Sequence, residues 1–108
     1  MIKKAKKKKF GFIPLEEVIR EELKDPVFRY YFERRTAITE IAHIVLGLRK
    51  KAGLTQAQLA KKADTTQAVI ARLESAKDKR IPSTDLLFRI AYAANARMSI
   101  SFDFDVAA

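Results

Sequence analysis

The chain has 108 residues, no cysteine and a formal net charge of +9, which fits one compact domain without a disulfide framework. No apolar run approaches the length that spans a membrane, and the lysine-rich start is not followed by an apolar core of secretory-signal length. We therefore expect a cytoplasmic protein with no membrane partner. The excess of positive charge favours a polyanionic partner.

The positive charge is concentrated in two blocks. Six of the first nine residues are Lys, and residues 46–80 hold nine Lys or Arg against three acids. Residues 1–9 contain almost nothing apolar to bury, which predicts a disordered basic arm. The arm either follows phosphates or a minor groove of a nucleic acid, or is a solvated tail.

Two helical regions are predicted in the first half of the chain. A proline opens the first, over 14–24, which has an apolar side and acids near its N-terminus. Asp25-Pro26 places a capping carboxylate before a proline at the first helical position, so a second region begins there. It continues over 26–52, as one helix or two, and Gly53 ends it.

Three shorter helices are predicted in the second half. The first two follow a threonine whose hydroxyl can cap the first turn, and the first of them also has the Gln that completes a capping box. Pro82-Ser83 begins the third. The helices are predicted over 56–62, 67–75 and 83–94.

The last predicted element is a strand, because apolar and polar residues alternate near the C-terminus. The apolar set is Met98, Ile100, Phe102 and Phe104. A lone strand leaves backbone donors and acceptors unpaired, so it needs a partner. The candidates are a second copy of the chain, the sheet of a partner protein, or residues 9–13 of the same chain. We favour the second copy, which would form a two-stranded ribbon in a homodimer.

Residues 54–74 carry the most informative motif. Two short helices joined by a three-residue turn place Leu59, Ala63, Ile70 and Leu73 inward, and the small Ala60 lies where the helices cross. The second helix then projects Gln67, Ala68, Ala71 and Arg72 outward. In a helix-turn-helix, the N-terminal half of this second helix enters the major groove of DNA.

Residues 49–94 resemble the Xre/Cro family of phage repressors and their bacterial relatives. The resemblance implies an all-α, lambda-repressor-like helix-turn-helix bundle, here with an N-terminal helical extension and one C-terminal β-strand. The chain departs from the family at Asp64 and Ala76, where glycine is usual. The matching residues are Arg49, Gly53-Leu54-Thr55-Gln56, Leu59-Ala60, Thr65-Thr66-Gln67 and Leu73-Glu74-Ser75.

The same resemblance implies roles for individual residues on double-stranded operator DNA. Arg49 and Glu74 would form an internal ion pair, and Gln56 would both bind a phosphate and steady Gln67. The base-reading residues would be Gln67, Ala68, Ala71 and Arg72. The phosphate-binding residues would be Gln56, Thr66, Lys77, Lys79 and Arg80.

The run of residues 25–33, leading directly into this domain, resembles the HigA-type antitoxins. That resemblance implies a second partner, a small basic RelE/HigB-like toxin that cleaves mRNA. The N-terminal helices would bind it through Leu15, Glu16, Val18, Ile19, Glu22, Leu23 and Phe28. The predicted organisation is a basic arm (1–9), a toxin-binding helical extension (10–37), the DNA-binding domain (38–95) and a dimerisation strand with a tail (96–108).

Catalysis and metal binding are not predicted. His43 is the only histidine, no serine belongs to a recognisable nucleophilic triad, and three glycines form no phosphate loop. The acids of the first helix are interpreted as a solvated face, so no cofactor is expected. Two other functions remain open: a stand-alone Xre-family repressor without a toxin, and a protein-interaction adaptor that has lost DNA binding.

Overall fold

The computed structural model describes residues 14–104, so the predicted basic arm lies outside the described residues. The chain divides into two units, Met1–Ala37 and Ile38–Ala108. Over residues 14–104, no helix has the combination of length and apolar character needed to cross a bilayer. The described helices are α1 (Leu15–Glu22), α2 (Pro26–Lys51), α3 (Gln56–Lys62), α4 (Gln67–Ser75) and α5 (Thr84–Ala93).

Helix α1 is amphipathic but contains no buried residue. Pro14 precedes its first turn, and two glutamates lie within that turn, where the helix dipole favours acids. Leu15 and Val18 are exposed, whereas Ile19 and Leu23 are half-buried. Glu16 and Glu22 are exposed as well, so α1 presents acidic and apolar side chains together.

Helix α2 is one uninterrupted helix, which resolves the choice between one helix and two. Its start is confirmed, because the Asp25 carboxylate accepts the backbone N–H of Val27 at 2.9 Å and Pro26 is the first helical residue. Its end is confirmed at Gly53, which has a φ of 72°. The N–H of Leu54 then donates to the Arg49 carbonyl at 3.1 Å and closes the helix. In its first turns, the ring of Phe28 stacks on Phe32.

Helices α3 and α4 begin at the predicted threonine caps, and Ser83, predicted as the start of the last helix, is the cap of α5. The hydroxyls of Thr55, Thr66 and Ser83 accept the backbone N–H three residues later at 3.1, 3.2 and 3.1 Å. The Thr55 backbone N–H donates to Gln58 Oε1 at 2.9 Å, so the capping box is present. Capping satisfies donors that a helix start leaves without partners.

The core of the second unit joins α2, α3, α4 and α5. Leu59 and Ile70 have no exposed surface, and burying a side chain of that size contributes about 1.5–3 kcal/mol. Helix α3 packs against both α4 and α5, and the side chain of Ala60 is small enough to permit close packing. Because its inner face is buried, α4 has a fixed outer face. The buried core cluster comprises Val45, Leu59, Ala60, Ala63, Ile70, Leu73 and Ile90.

Within residues 14–104, three residues other than glycine adopt left-handed backbone conformations where helices end. Asp64 has φ 56°, Ala76 has φ 59° and Asn95 has φ 61°. Asp and Asn tolerate this region better than most residues, whereas the Cβ of alanine is strained there. The two departures from the family pattern, Asp64 and Ala76, therefore occupy the conformation that glycine would adopt without strain.

The structure does not contain the predicted C-terminal strand. Residues 97–104 form no ladder with any other described residue. A strand requires hydrogen bonds to a neighbouring backbone, and no segment between 14 and 104 provides them. Met98 and Ile100 instead line an apolar groove of about 310 Å³ beside α2 and α5. Phe102 and Phe104 are 91% and 97% exposed. The alternative partner segment, 9–13, lies outside the described residues.

The left-handed geometry of Ala76 generates a stability prediction. Ala76→Gly should raise the free energy of unfolding by about 1 kcal/mol, because glycine removes the Cβ strain. Ala57→Gly, on the exposed face of α3 with ordinary helical φ, should instead lower it by about 0.5 kcal/mol. Urea unfolding followed by circular dichroism measures both. If Ala76→Gly is as destabilising as the control, the left-handed conformation is wrong.

Candidate nucleic-acid interface

The residues predicted to read DNA bases share the outer face of α4. Gln67 and Ala68 are exposed, Ala71 is half-buried, and the Arg72 side chain is 51% exposed. Ile70 and Leu73 on the opposite face are buried in the core. Positions 67, 68, 71 and 72 therefore form one short stripe of two polar and two small side chains, one helical turn apart.

A nearly buried ion pair fixes the orientation of α4. The Nε of Arg49 donates to Glu74 Oε2 at 2.6 Å, and its Nη2 donates to Oε1 at 3.0 Å. The Arg49 side chain is 15% exposed and that of Glu74 is 7% exposed. A third donor of Arg49 reaches the Leu54 carbonyl at 2.9 Å. One guanidinium thus joins the end of α2, the segment after it and the last turn of α4.

The contact between Arg49 and Glu74 shifts the pKa values of the two groups in opposite directions, and each shift favours the charged form. Burial alone would raise the pKa of Glu74, but the hydrogen bonds from Arg49 and Gln56 hold it below its ordinary value. The hydrogen bond to Glu74 raises the pKa of Arg49. Both groups are therefore charged at neutral pH, and two-donor contact gives the pair strong directionality.

The structure places Gln56 on this same ion pair. Its Nε2 donates to Glu74 Oε1 at 3.0 Å, so within residues 14–104 its amide steadies Glu74 rather than Gln67. Gln56 lies in the first turn of α3, and its half-buried side chain links α3 to α4. Thr66 likewise has a structural task, since its hydroxyl caps α4.

Arg89 holds the turn of the helix-turn-helix, a role that the sequence reasoning missed. Its Nη1 donates to the carbonyls of Ala63 and Asp64, the latter at 2.8 Å. Its Nε donates to Asp85 at 3.0 Å, one turn earlier in α5. A cation at the C-terminus of α3 also complements the helix dipole. The i,i+4 spacing with Asp85 was the only sequence signal, and it does not reveal carbonyls more than twenty residues away.

The loop between α4 and α5 brings cations beside the stripe on α4. Lys77, Lys79 and Arg80 are exposed. Asp78 Oδ1 accepts the Arg80 backbone N–H at 3.0 Å and its Nε at 3.3 Å. Asp78 Oδ2 forms an ion pair with Arg72 Nε at 3.5 Å. The backbone N–H of Arg80, then its side chain, lower the pKa of Asp78, so this acid is ionised at neutral pH.

The comparisons with known proteins agree with this geometry. Residues 47–95 match the helix-turn-helix family model, just under half of the chain, from the last turn of α2 to the end of α5. No curated protein and no solved structure matches the chain. The chain thus contains an Xre/lambda-repressor-like helix-turn-helix domain. Such a domain indicates a DNA-binding transcription regulator, and domains of this type are typically non-enzymatic.

The Arg49–Glu74 pair generates a second stability prediction. Glu74→Gln should lower the free energy of unfolding by about 3 kcal/mol, because it leaves a largely buried guanidinium without its counter-charge. Glu40→Gln removes an exposed carboxylate from α2 and should change stability by less than about 0.5 kcal/mol. Urea unfolding at pH 7 compares them, and equal effects would contradict the structural role of Glu74.

The same pair predicts the direction of the pH dependence. The folded-state pKa of Glu74 is depressed, so its stabilising contribution is complete above its ordinary value of 4.5 and is lost as the pH falls through the folded-state value. As the pH falls below 4.5, the free energy of unfolding of the wild type should therefore decrease more steeply than that of Glu74→Gln. Parallel stability curves for the two proteins between pH 7 and pH 3 would contradict it.

Proposed function

We propose that this protein is a sequence-specific DNA-binding antitoxin that represses its own operon and neutralises a small RelE/HigB-like mRNA-cleaving toxin in the bacterial cytoplasm. The observation that supports DNA reading most strongly is the α4 stripe. Three of its four residues are exposed, it carries an amide and a guanidinium, and its helix is held by the Arg49–Glu74 pair.

Each side chain of the stripe has a chemical match in the major groove. The Gln67 amide can bond both N6 and N7 of adenine, and the Arg72 guanidinium suits guanine. Ala68 and Ala71 are small enough to contact a thymine methyl. The cations of the following loop, together with Gln56 and Thr66 at the starts of α3 and α4, would position the domain on phosphates.

We further propose that the repressor is a homodimer. Its second copy would cover the apolar groove beside α2 and α5, whose rim includes Ile44 and Ile100, 59% and 57% exposed. The groove and the exposed Phe102 side chain belong to the same unit. A two-fold interface joins the same surface of both copies, so a surface that carries both a groove and an exposed apolar side chain can complement itself. Two recognition helices about 34–36 Å apart would match a palindromic operator.

The toxin-binding role rests on the charge and exposure of α1. The helix has no buried residue, and it presents Leu15 and Val18 next to several glutamates. An amphipathic helix of this kind fills an apolar groove on a partner, and its acids complement a basic one. Co-expression with the product of a neighbouring gene for a basic protein tests the role, and Val18→Asp should abolish co-purification. If no neighbouring product binds, the result contradicts the toxin-binding role and favours a stand-alone repressor over an antitoxin.

The third function, an adaptor without DNA binding, is tested by selecting duplexes. Wild-type protein should enrich a defined sequence from a randomised duplex library, and the selected duplex should bind with strong salt dependence. Enrichment of no sequence would favour the adaptor, whatever α1 binds.

Base reading by α4 gives a direct prediction. Gln67→Ala should weaken binding to the selected duplex by about 1–3 kcal/mol, because one bidentate base contact is lost. Its affinity for random-sequence duplex should stay within about twofold, since nonspecific binding depends on phosphates. Fluorescence anisotropy at fixed salt measures both affinities.

The control for this prediction is Gln58→Glu, which changes a residue of α3 rather than of the stripe and keeps a side chain that can complete the capping box. It should preserve the preference for the selected duplex, even if its negative charge lowers affinity for all duplexes alike. The assignment of α4 as the reading helix is refuted if Gln67→Ala retains full preference for the selected sequence.

The homodimer gives another prediction, tested by sedimentation equilibrium. Phe102→Asp should convert the dimer to a monomer, because it places a charge on the apolar side of the C-terminal segment. Ser101→Asp adds the same charge at the adjacent position, which is one of the polar positions of the alternating pattern, and this variant should remain dimeric. A monomeric wild type, or equal dissociation of both variants, would contradict this surface.

A further inference from the structure

The carboxylate of Asp78 contacts two arginines that the proposed function assigns to DNA. It lies 3.3 Å from Arg80 Nε and 3.5 Å from Arg72 Nε. The Asp78 side chain is only 20% exposed, whereas those of Arg72 and Arg80 are 51% and 80% exposed. The acid is therefore the least exposed of the three side chains, and both arginine side chains keep exposed surface.

An acid at this position opposes simple attraction to DNA. Asp78 stands between Lys77 and Lys79 in the sequence, in the loop that follows the reading helix. Its negative charge weakens the attraction of that loop for every phosphate, whatever the base sequence. A loop whose only function was to bind phosphates would have a higher affinity for DNA without this acid.

The carboxylate of Asp78 compensates for this weaker attraction to phosphates by restricting the Arg72 side chain. A free arginine side chain has many rotamers, and fixing one of them on binding costs conformational free energy. The ion pair with Asp78 restricts Arg72 before DNA arrives. A guanidinium has five N–H donors, so a contact through Nε leaves donors for the edge of a base.

We propose that Asp78 is a specificity-determining positioning residue. It holds Arg72 in the orientation that reads a base, and it offsets cation charge that would otherwise bind any duplex. Asp78 thereby increases the ratio of specific to nonspecific affinity without touching a base. This inference rests on the proposed DNA-reading function and deepens it.

The test variant is Asp78→Asn, in which the amide oxygen can still accept the Arg80 backbone N–H. The probes are the duplex selected by the wild type, the same duplex with single base-pair substitutions, and poly(dI-dC). Nonspecific affinity should rise about fivefold at 0.15 M salt, equivalent to one additional phosphate contact, with a salt slope steeper by about 0.9.

The decisive measurement is preference at one base pair. Arg72→Ala identifies the base pair that Arg72 reads, because preference is relaxed there. Asp78→Asn should relax preference by about threefold to tenfold at that same base pair, as expected for lost side-chain ordering. In the Arg72→Ala background, Asp78→Asn should cause no further relaxation, since Asp78 acts through Arg72.

Two controls separate positioning from charge and from folding. Asp64→Asn removes the same charge from an exposed acid of the same unit, and Asn tolerates its left-handed backbone, so base preference should be unchanged. Arg80→Gln spares the Arg72–Asp78 pair and should retain base preference while losing affinity for all duplexes. Thermal unfolding of each variant reports its fold, and the Arg80→Gln result stands even if Asp78→Asn is unfolded.

The inference is overturned if Asp78→Asn folds and keeps full preference at the base pair read by Arg72. It is also overturned if Asp64→Asn relaxes that preference equally, or if Arg80→Gln abolishes it. These results would leave the proposed function intact, because wild type would still select a sequence. Failure of the wild type to select any duplex would instead refute the proposed function itself.

Discussion

The two-donor ion pair between Arg49 and Glu74 is the constraint on which the recognition surface depends. It joins the end of α2 to the last turn of α4, and it also receives the amide of Gln56 from α3. A helix as short as α4 has little stability by itself. Its direction is therefore set by what holds its two ends, which are the Thr66 cap at the start and Glu74 near the finish.

The cationic side chains of the second unit fall into two groups, those that form contacts within the unit and those that are exposed on its surface. The guanidinium groups of Arg49 and Arg89 form contacts within the unit, to a carboxylate and to backbone carbonyls respectively. Lys77, Lys79 and Arg80 lie on the surface of the loop after α4. The count of Lys and Arg therefore overstates the number of cations available to a polyanion. The position of each charge, rather than the sum, decides what the protein binds.

Local sequence signals predicted most of the fold, because helix ends are determined by nearby residues. Asp25, Thr55, Thr66 and Ser83 each bond to a backbone N–H within three residues, which a single sequence displays directly. Helical spacing likewise predicted the buried Leu59 and Ile70, since one face of each short helix is apolar. The Arg49–Glu74 pair followed from the family resemblance and not from spacing.

Other features depend on contacts between distant residues and were missed or wrong. Neither the bond from Gln56 to Glu74 nor that from Arg89 to Ala63 has a local signature, because their partners are eighteen and twenty-six residues away. Alternating residues 98–104 predicted a strand, but alternation describes side chains and a strand also requires a backbone partner. The sequence pattern contains no information about whether that partner belongs to the same chain.

The most direct test of the central claim, that the outer face of α4 is the DNA-reading surface, is amide chemical-shift mapping by NMR. The protein would be titrated with its selected duplex at 0.15 M salt. The account predicts the largest shift changes at residues 66–72 and 77–80, with small changes in α1. Changes centred on α1 or α5, with the amides of α4 unmoved, would contradict it.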